Sequence, residues 1–193
     1  MTVMQTRRGC EQDATSSRVP EAGGRGISEG PAAVTAGRPV MVEVYLLRCH
    51  RGGQLAYRCV TGQLGAAETP DEAALRIGRI APGGPGAAVA VHSTSWRHLG
   101  DGSIVLAYAI APDPVPDATA VPILSFEPAH GPCATRPSPE RLEREQVAAH
   151  AARHLALVAD ANPDVRQVLD AYPELARSLD ELPRAAAGQL AAR

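Results

Sequence analysis

Lysine is missing altogether, so each of the 19 basic residues is an arginine. That excludes lysine Schiff-base chemistry and a lysine-bearing phosphate loop, although a GC-rich genome is the simplest source of the bias. Aromatic residues make up only 3% of the chain against 45% apolar residues. The core must therefore be aliphatic, and much of it alanine, which buries little area per residue. An excess of one charge is missing too. The formal net charge is −2 with no long run of either sign, which leaves no footprint for duplex DNA or RNA. No apolar run is long enough to span a bilayer, and Arg7-Arg8 are not followed by the apolar stretch of a signal peptide. A cytoplasmic protein with no nucleic-acid or membrane partner is expected. The four cysteines, Cys10, Cys49, Cys59 and Cys133, form no CxxC pair, which argues against a zinc ribbon. Cys49 and Cys59 fall in apparent strands and read as small buried apolar groups. A cross-hairpin disulfide between them is the minor alternative, since nothing indicates export.

The 193 residues suit one domain plus some unpacked sequence. Residues 1–38 are rich in Gly, Ser, Ala, Glu and Arg and have almost no large apolar side chain. Such a stretch cannot offset its ordering entropy and is expected to be a disordered N-terminal segment. A second reading places the translation start near Met41. Val40 to Cys49 is a continuous β-favouring run, followed by Arg51-Gly52-Gly53 as a turn and by alternation over Leu55, Tyr57 and Cys59. Val89 to Trp96, the Gly100-Asp101-Gly102 turn and Ile104 to Ile110 give a second hairpin. Ile123 to Phe126 reads as a short further strand after the Pro-rich loop 112–122.

Thr69-Pro70-Asp71-Glu72 carries a capping residue, proline at the first helical position and glutamate at the third. Ala73, Ala74, Ile77, Ile80 and Ala81 supply an apolar face, and Pro82-Gly83-Gly84-Pro85-Gly86 stops the helix. Ser138-Pro139-Glu140 is expected to open a long helix to about Asp160, with Val147, Ala151, Leu155 and Val158 on one face. Asn162-Pro163-Asp164 caps a shorter helix that stops at Pro173, and Glu174 to Leu182 forms a last one. Arg141, Arg144 and Arg153 among Glu140, Glu143 and Glu145 read as a solvated, salt-bridged helix face.

A strand pair, a glycine loop, a capped helix and further strands follow one another in this order, and the loop–helix wording is specific. Gly62 is followed by five residues and Glu68, Arg76 comes after seven more, and Gly83 closes the segment. Together with Gly-Ala-Ala-Glu-Thr-Pro-Asp-Glu-Ala-Ala-Leu-Arg over 65–76, this resembles the Nudix box of the Nudix hydrolase family. The likeness covers about residues 40–85, with strands to about 126 compatible. It implies an α/β fold, a Nudix-like mixed sheet with flanking helices, over 39–137, and leaves a C-terminal helical extension over 138–193 unexplained. It also implies that Glu68 and Arg76 form the ion pair that shapes the box, with Gly62, Gly65 and Gly83 as structural positions. The three glutamate positions that hold magnesium in the family are occupied here by Ile77, Ile80 and Ala81. Hard divalent ions want oxygen ligands, so no metal is expected.

Two readings follow, and a third stands apart. The first is a non-catalytic Nudix-like module that binds a nucleotide-type ligand or a protein partner, with no cofactor. The second is a divergent hydrolase of a nucleoside-diphosphate-linked substrate that binds magnesium through carboxylates outside the box, with Glu72 and Glu127 as candidates. The third is a helical interaction scaffold that meets a protein through the C-terminal helices. Trp96 stacking on a ring and Arg97 reaching an anion, together with Arg58, Glu72 and Glu127, are the ligand-binding candidates. Strand alternation puts His92, Thr94 and Trp96 on one face and Ser93, Ser95 and Arg97 on the other, which separates His92 from both serines. His150 and His154 share a helix face, but Ala151 stands where a zincin has glutamate.

Overall fold

Two glycine-closed hairpins build the sheet. In the computed structural model, residues 38–50, 52–81, 88–127, 129–132, 139 and 141–184 are described. The expectations for residues 1–37, Cys10, Cys133, Glu140 and the 82–86 stop with Gly83 fall outside them. Strands β1 (Val40–Cys49) and β2 (Leu55–Gln63) pair antiparallel, as do β3 (Ala90–His98) and β4 (Ile104–Ala111). Gly52 and Gly53 turn the first hairpin at φ 94° and 87°, and Gly102 turns the second at 84°, angles open to glycine at no steric cost. The hairpins join through parallel pairing of β1 and β4, from Val40 opposite Ile104 to Leu46 opposite Ile110. A two-residue β5 (Val121–Pro122) completes the mixed sheet in the order β3-β4-β1-β2-β5. Residues 123–126 are not a strand, contrary to expectation, because Glu145 Oε1 accepts the Leu124 and Ser125 N–H groups at 2.7 and 3.3 Å.

Helix α1 (Pro70–Gly78) starts as its sequence dictates. Thr69 Oγ1 accepts from Glu72 N–H, and the Glu72 carboxylate accepts from Thr69 N–H at 2.8 Å. Its end differs from the expected Ala81. Arg79 adopts left-handed angles, φ 60° and ψ 42°. Arg79 N–H donates to Arg76 O and Ile80 N–H to Leu75 O, at 3.1 and 2.9 Å, a Schellman closure in which glycine is usual. The glycine stands one residue early because Gly78 faces the sheet, where an added Cβ would lie 2.9 Å from Ile110 Cδ1.

Helix α2 (Arg144–Ala161) begins six residues later than expected from Ser138, where Glu143 N–H finds Gln146 Oε1 at 2.9 Å. Asn162 Oδ1 caps α3 (Pro163–Asp170), and Pro173 opens α4 (Pro173–Asp180) as its first residue. The expected salt-bridged face on α2 is not formed among the described residues. Arg153 is only 8% exposed and donates to the carbonyls of Phe126 and Pro183, both at 3.1 Å. These contacts tie the helix to the loops beside it.

The sheet has helices on both faces. Tyr45, Leu47 and Leu55 pack with Ala148, Ala152 and Leu155 of α2 and with Leu169, Leu175 and Leu179 beyond it. Alanines along α2 let it lie close to the sheet. On the opposite face Val42, Val44, Leu46, Tyr108 and Ile110 receive Ala73, Ala74 and Ile77 of α1. No described helix is long and apolar enough to cross a membrane. Cys49 and Cys59 are half-buried, and each is a free thiol.

Because the apolar stripes of α2, α3 and α4 are spent on the sheet, a chain cut at residue 138 should lose cooperative unfolding. Circular dichroism during a thermal ramp checks this, and a sharp transition in the shortened chain would contradict it. A Cβ at Gly62 would lie 2.8 Å from Ile77 Cγ1 and Cδ1. Gly62→Ala should therefore cost about 1–3 kcal/mol of stability. Adding Ile77→Ala should recover part of that loss in a double-mutant cycle by chemical denaturation, whereas strict additivity would mean the contact is unimportant.

Candidate functional site

The loop–helix segment is held by charge-assisted hydrogen bonds. Arg76 grips Glu68 in a fork, Nε to Oε1 and Nη2 to Oε2, both at 2.7 Å, and also donates to Gln63 O at 3.0 Å. Gly65 N–H adds a third bond to Glu68 at 3.0 Å. The Arg76 guanidinium, then the Gly65 amide, pull the Glu68 carboxyl down to about 2. Gly62 and Gly65 are not positive-φ glycines. What Gly62 supplies is room for Ile77, and Gly65 brings its amide to Glu68.

Every acid on and just before α1 is engaged. Glu68 serves Arg76, Glu72 serves the cap, and Asp71 Oδ1 accepts from the Tyr108 hydroxyl at 2.7 Å. Burial, reinforced by Asp71, pushes the Tyr108 hydroxyl up to about 12. Ile77 is 8% exposed and points into the core, whereas Ile80 and Ala81 lie past the helix end. Of the three box positions only Ile77 lies on the helix, so the apolar helix face expected to run on to Ile80 and Ala81 ends at Gly78.

The ligand-binding candidates do not converge. Trp96 is 70% exposed near the end of the edge strand β3. Arg97 Nη2 donates to Glu43 Oε1 at 2.6 Å, and Glu43 also accepts from Tyr45 at 2.9 Å. That arginine is thus committed within the fold. A bulge at Thr94 resets the alternation of β3, because Ser93 faces Tyr108 while Ser95 already faces Ala107. Hence His92 and Trp96 do not share a face, contrary to the uninterrupted alternation expected. Glu127 lies in the loop next to Phe126, whose carbonyl binds Arg153 of α2. Arg58 clasps Asp113 instead, Nε to Oδ2 at 3.1 Å and Nη2 to Oδ1 at 2.8 Å.

His150 and His154 turn ring nitrogens toward the Thr94 carbonyl at 3.3 and 3.2 Å, and His92 meets His154 edge-on. Burial lowers the affinity of His92 and His150 for protons. Among the described residues no group of three His, Cys, Asp or Glu side chains is placed to hold a metal ion.

A cavity of about 900 Å³ opens where the parallel strands β1 and β4 end side by side. Ligands of α/β sheets gather at such carboxyl ends, and the volume suits a small molecule. Arg48, Cys49 and His50 line it from β1, and Arg79, Ile80 and Ala81 from the end of α1. Pro112, Asp113 and Pro114 follow β4, and Tyr172, Glu174 and Leu175 come from the start of α4. Asp113 is fully buried and accepts from Arg58, with Arg48 Nη1 3.9 Å away. Arg48 also donates to Val115 O, Pro116 O and Ala118 O, which pins the loop after β4. Arg79 is exposed and, among the described residues, makes no side-chain hydrogen bond. Sequence reasoning passed over this group. Its one local signal is Asp113 between two prolines directly after an apolar strand.

No family model matches the chain, and no curated protein and no solved structure matches it.

The Glu68 carboxyl should titrate near 2 by NMR and return to the usual carboxylate range in Arg76→Ala. With its pKa lower folded than unfolded, its stabilising contribution is present above the unfolded value of about 4.3. That contribution is lost as pH falls through about 2. An unshifted midpoint in the parent protein would show that the fork does not persist in solution.

Proposed function

We propose that the protein is a Nudix-like module that binds a nucleotide-type ligand in the cavity at the carboxyl ends of β1 and β4, without metal-dependent hydrolysis. The reading rests on one observation. Ile80 and Ala81, at two of the three box positions that carry metal-binding glutamates in the family, line that cavity with hydrocarbon. The forked Glu68–Arg76 pair and the hairpin–loop–helix order support the Nudix half of the reading.

Magnesium does not fit the residues present. A hard cation needs several oxygen ligands and strips water reluctantly. Two carboxylates line the cavity among the described residues. Asp113 is clasped by Arg58, and Glu174 is a single carboxylate at the start of α4. Glu72 and Glu127, the candidates for a divergent hydrolase, do not line the cavity, and Glu72 is bound into the helix cap. Burial of the apolar stripes of the C-terminal helices on the sheet favours the ligand-binding reading over a helical scaffold.

The test is incubation of the purified chain with a panel of nucleoside-diphosphate-linked compounds and magnesium or manganese. No release of phosphate or mononucleotide above background is expected, while a nucleotide raises the melting temperature. Robust turnover that disappears in Glu174→Gln would replace this reading with the divergent hydrolase.

A further inference from the structure

We infer that the cavity selects a ligand with a single negative charge, a phosphodiester or a carboxylate on an apolar body, and that Arg79 is the residue that binds that charge. This deepens the ligand-binding reading above and depends on the cavity being its site. Two observations carry it, one on conformation and one on charge.

The conformational observation is the left-handed backbone at Arg79, φ 60° and ψ 42°. The closure that ends α1 asks for glycine at that position, because a Cβ crowds the following carbonyl there. Arginine gives the helix end nothing in return, since its guanidinium makes no hydrogen bond among the described residues. What it does is place a cation on the cavity lining beside Ile80 and Ala81. An unfavourable backbone state kept at a cavity points to a task for its side chain.

The charge observation is a count of the groups involved. Arg48 and Arg79 line the cavity together with Asp113 and Glu174, and Arg58 stands behind Asp113. Among the described residues, three arginines against two carboxylates leave one positive charge on the site as a whole. Asp113 and loop carbonyls engage Arg48 and Arg58, so Arg79 is the lining arginine whose guanidinium has no hydrogen-bond partner among the described residues. One exposed cation compensates one anionic charge. A diphosphate brings two or three, and the acids that would bridge the excess through a metal are Ile80 and Ala81 here. The remaining lining, with Val89, Pro112, Pro114 and Leu175, suits an apolar body next to the anion.

Isothermal titration calorimetry on the full chain separates the outcomes with four probes: cyclic AMP, AMP, ADP with and without magnesium, and nicotinate. Cyclic AMP, a monoanionic nucleotide, is expected to bind more tightly than AMP or either form of ADP. Arg79→Gln removes the charge and keeps the Cβ, and should weaken binding about 10- to 100-fold. Arg79→Gly should weaken it equally while raising the melting temperature, which distinguishes a lost contact from a damaged fold. Glu174→Gln adds a net positive charge and should shift preference toward AMP. Binding of nicotinate but of no nucleotide would keep the monoanion assignment and overturn the nucleotide reading. Tighter binding of ADP without turnover would overturn the assignment and leave the nucleotide reading standing. Undiminished affinity in Arg79→Gln, or no binding by any of the four, would also overturn it.

Discussion

The close approach of α1 to the sheet is the constraint on which the rest depends. Gly62 on β2 and Gly78 within the helix give up their side chains where Ile77 and Ile110 press in. Once the helix lies this close, position 77 is a core position, and a carboxylate there would be buried without a partner at a cost of several kcal/mol. Hydrocarbon at Ile77 is therefore a requirement of the packing. Gly78 also weakens the helix where it must stop. The chain turns over at Arg79, and Ile80 and Ala81 go to the cavity instead of completing another helical turn.

A second consequence concerns the polar groups. A small aliphatic core with few aromatics leaves the loops to be fixed by hydrogen bonds, and arginine does most of that fixing here. Arg76 holds the loop before α1, Arg48 the loop after β4, Arg153 the loops beside α2, and Arg184 bridges Asp160 and carbonyls at the end of α4. A planar fork with several donors satisfies carboxylates and carbonyls together, which a lysine ammonium does less well. The all-arginine composition has a structural use whatever its genomic origin.

Local signals made much of this fold legible in the sequence. The β1 run, both hairpin turns, the Thr69 cap and the Asn162 cap each depend on residues within a few positions of one another, and each formed where its pattern stood. The misreadings came from longer-range competition. Glu145 took the amides that a strand at 123–126 would have needed. Arg153 turned inward because carbonyls from 126 and 183 converge on it. The cavity was illegible for the same reason. It exists only because β1 and β4 run parallel with α1 and β3 between them in the chain, and no local pattern encodes which strands will be neighbours.

Trp96 and Arg97, the residues that looked most like ligand contacts, show what residue type alone leaves out. An arginine is free to read a ligand only if the fold leaves it unpaired, and Glu43 on the same face of the sheet claims Arg97. Exposure is no better a guide by itself, since Trp96 is open to solvent but does not line the cavity. Arg79 differs from both on two independent counts. It stays unpaired among the described residues at a concave site, and it holds a backbone state that its own side chain makes unfavourable. The two together set it apart from a side chain that is merely exposed elsewhere on the surface.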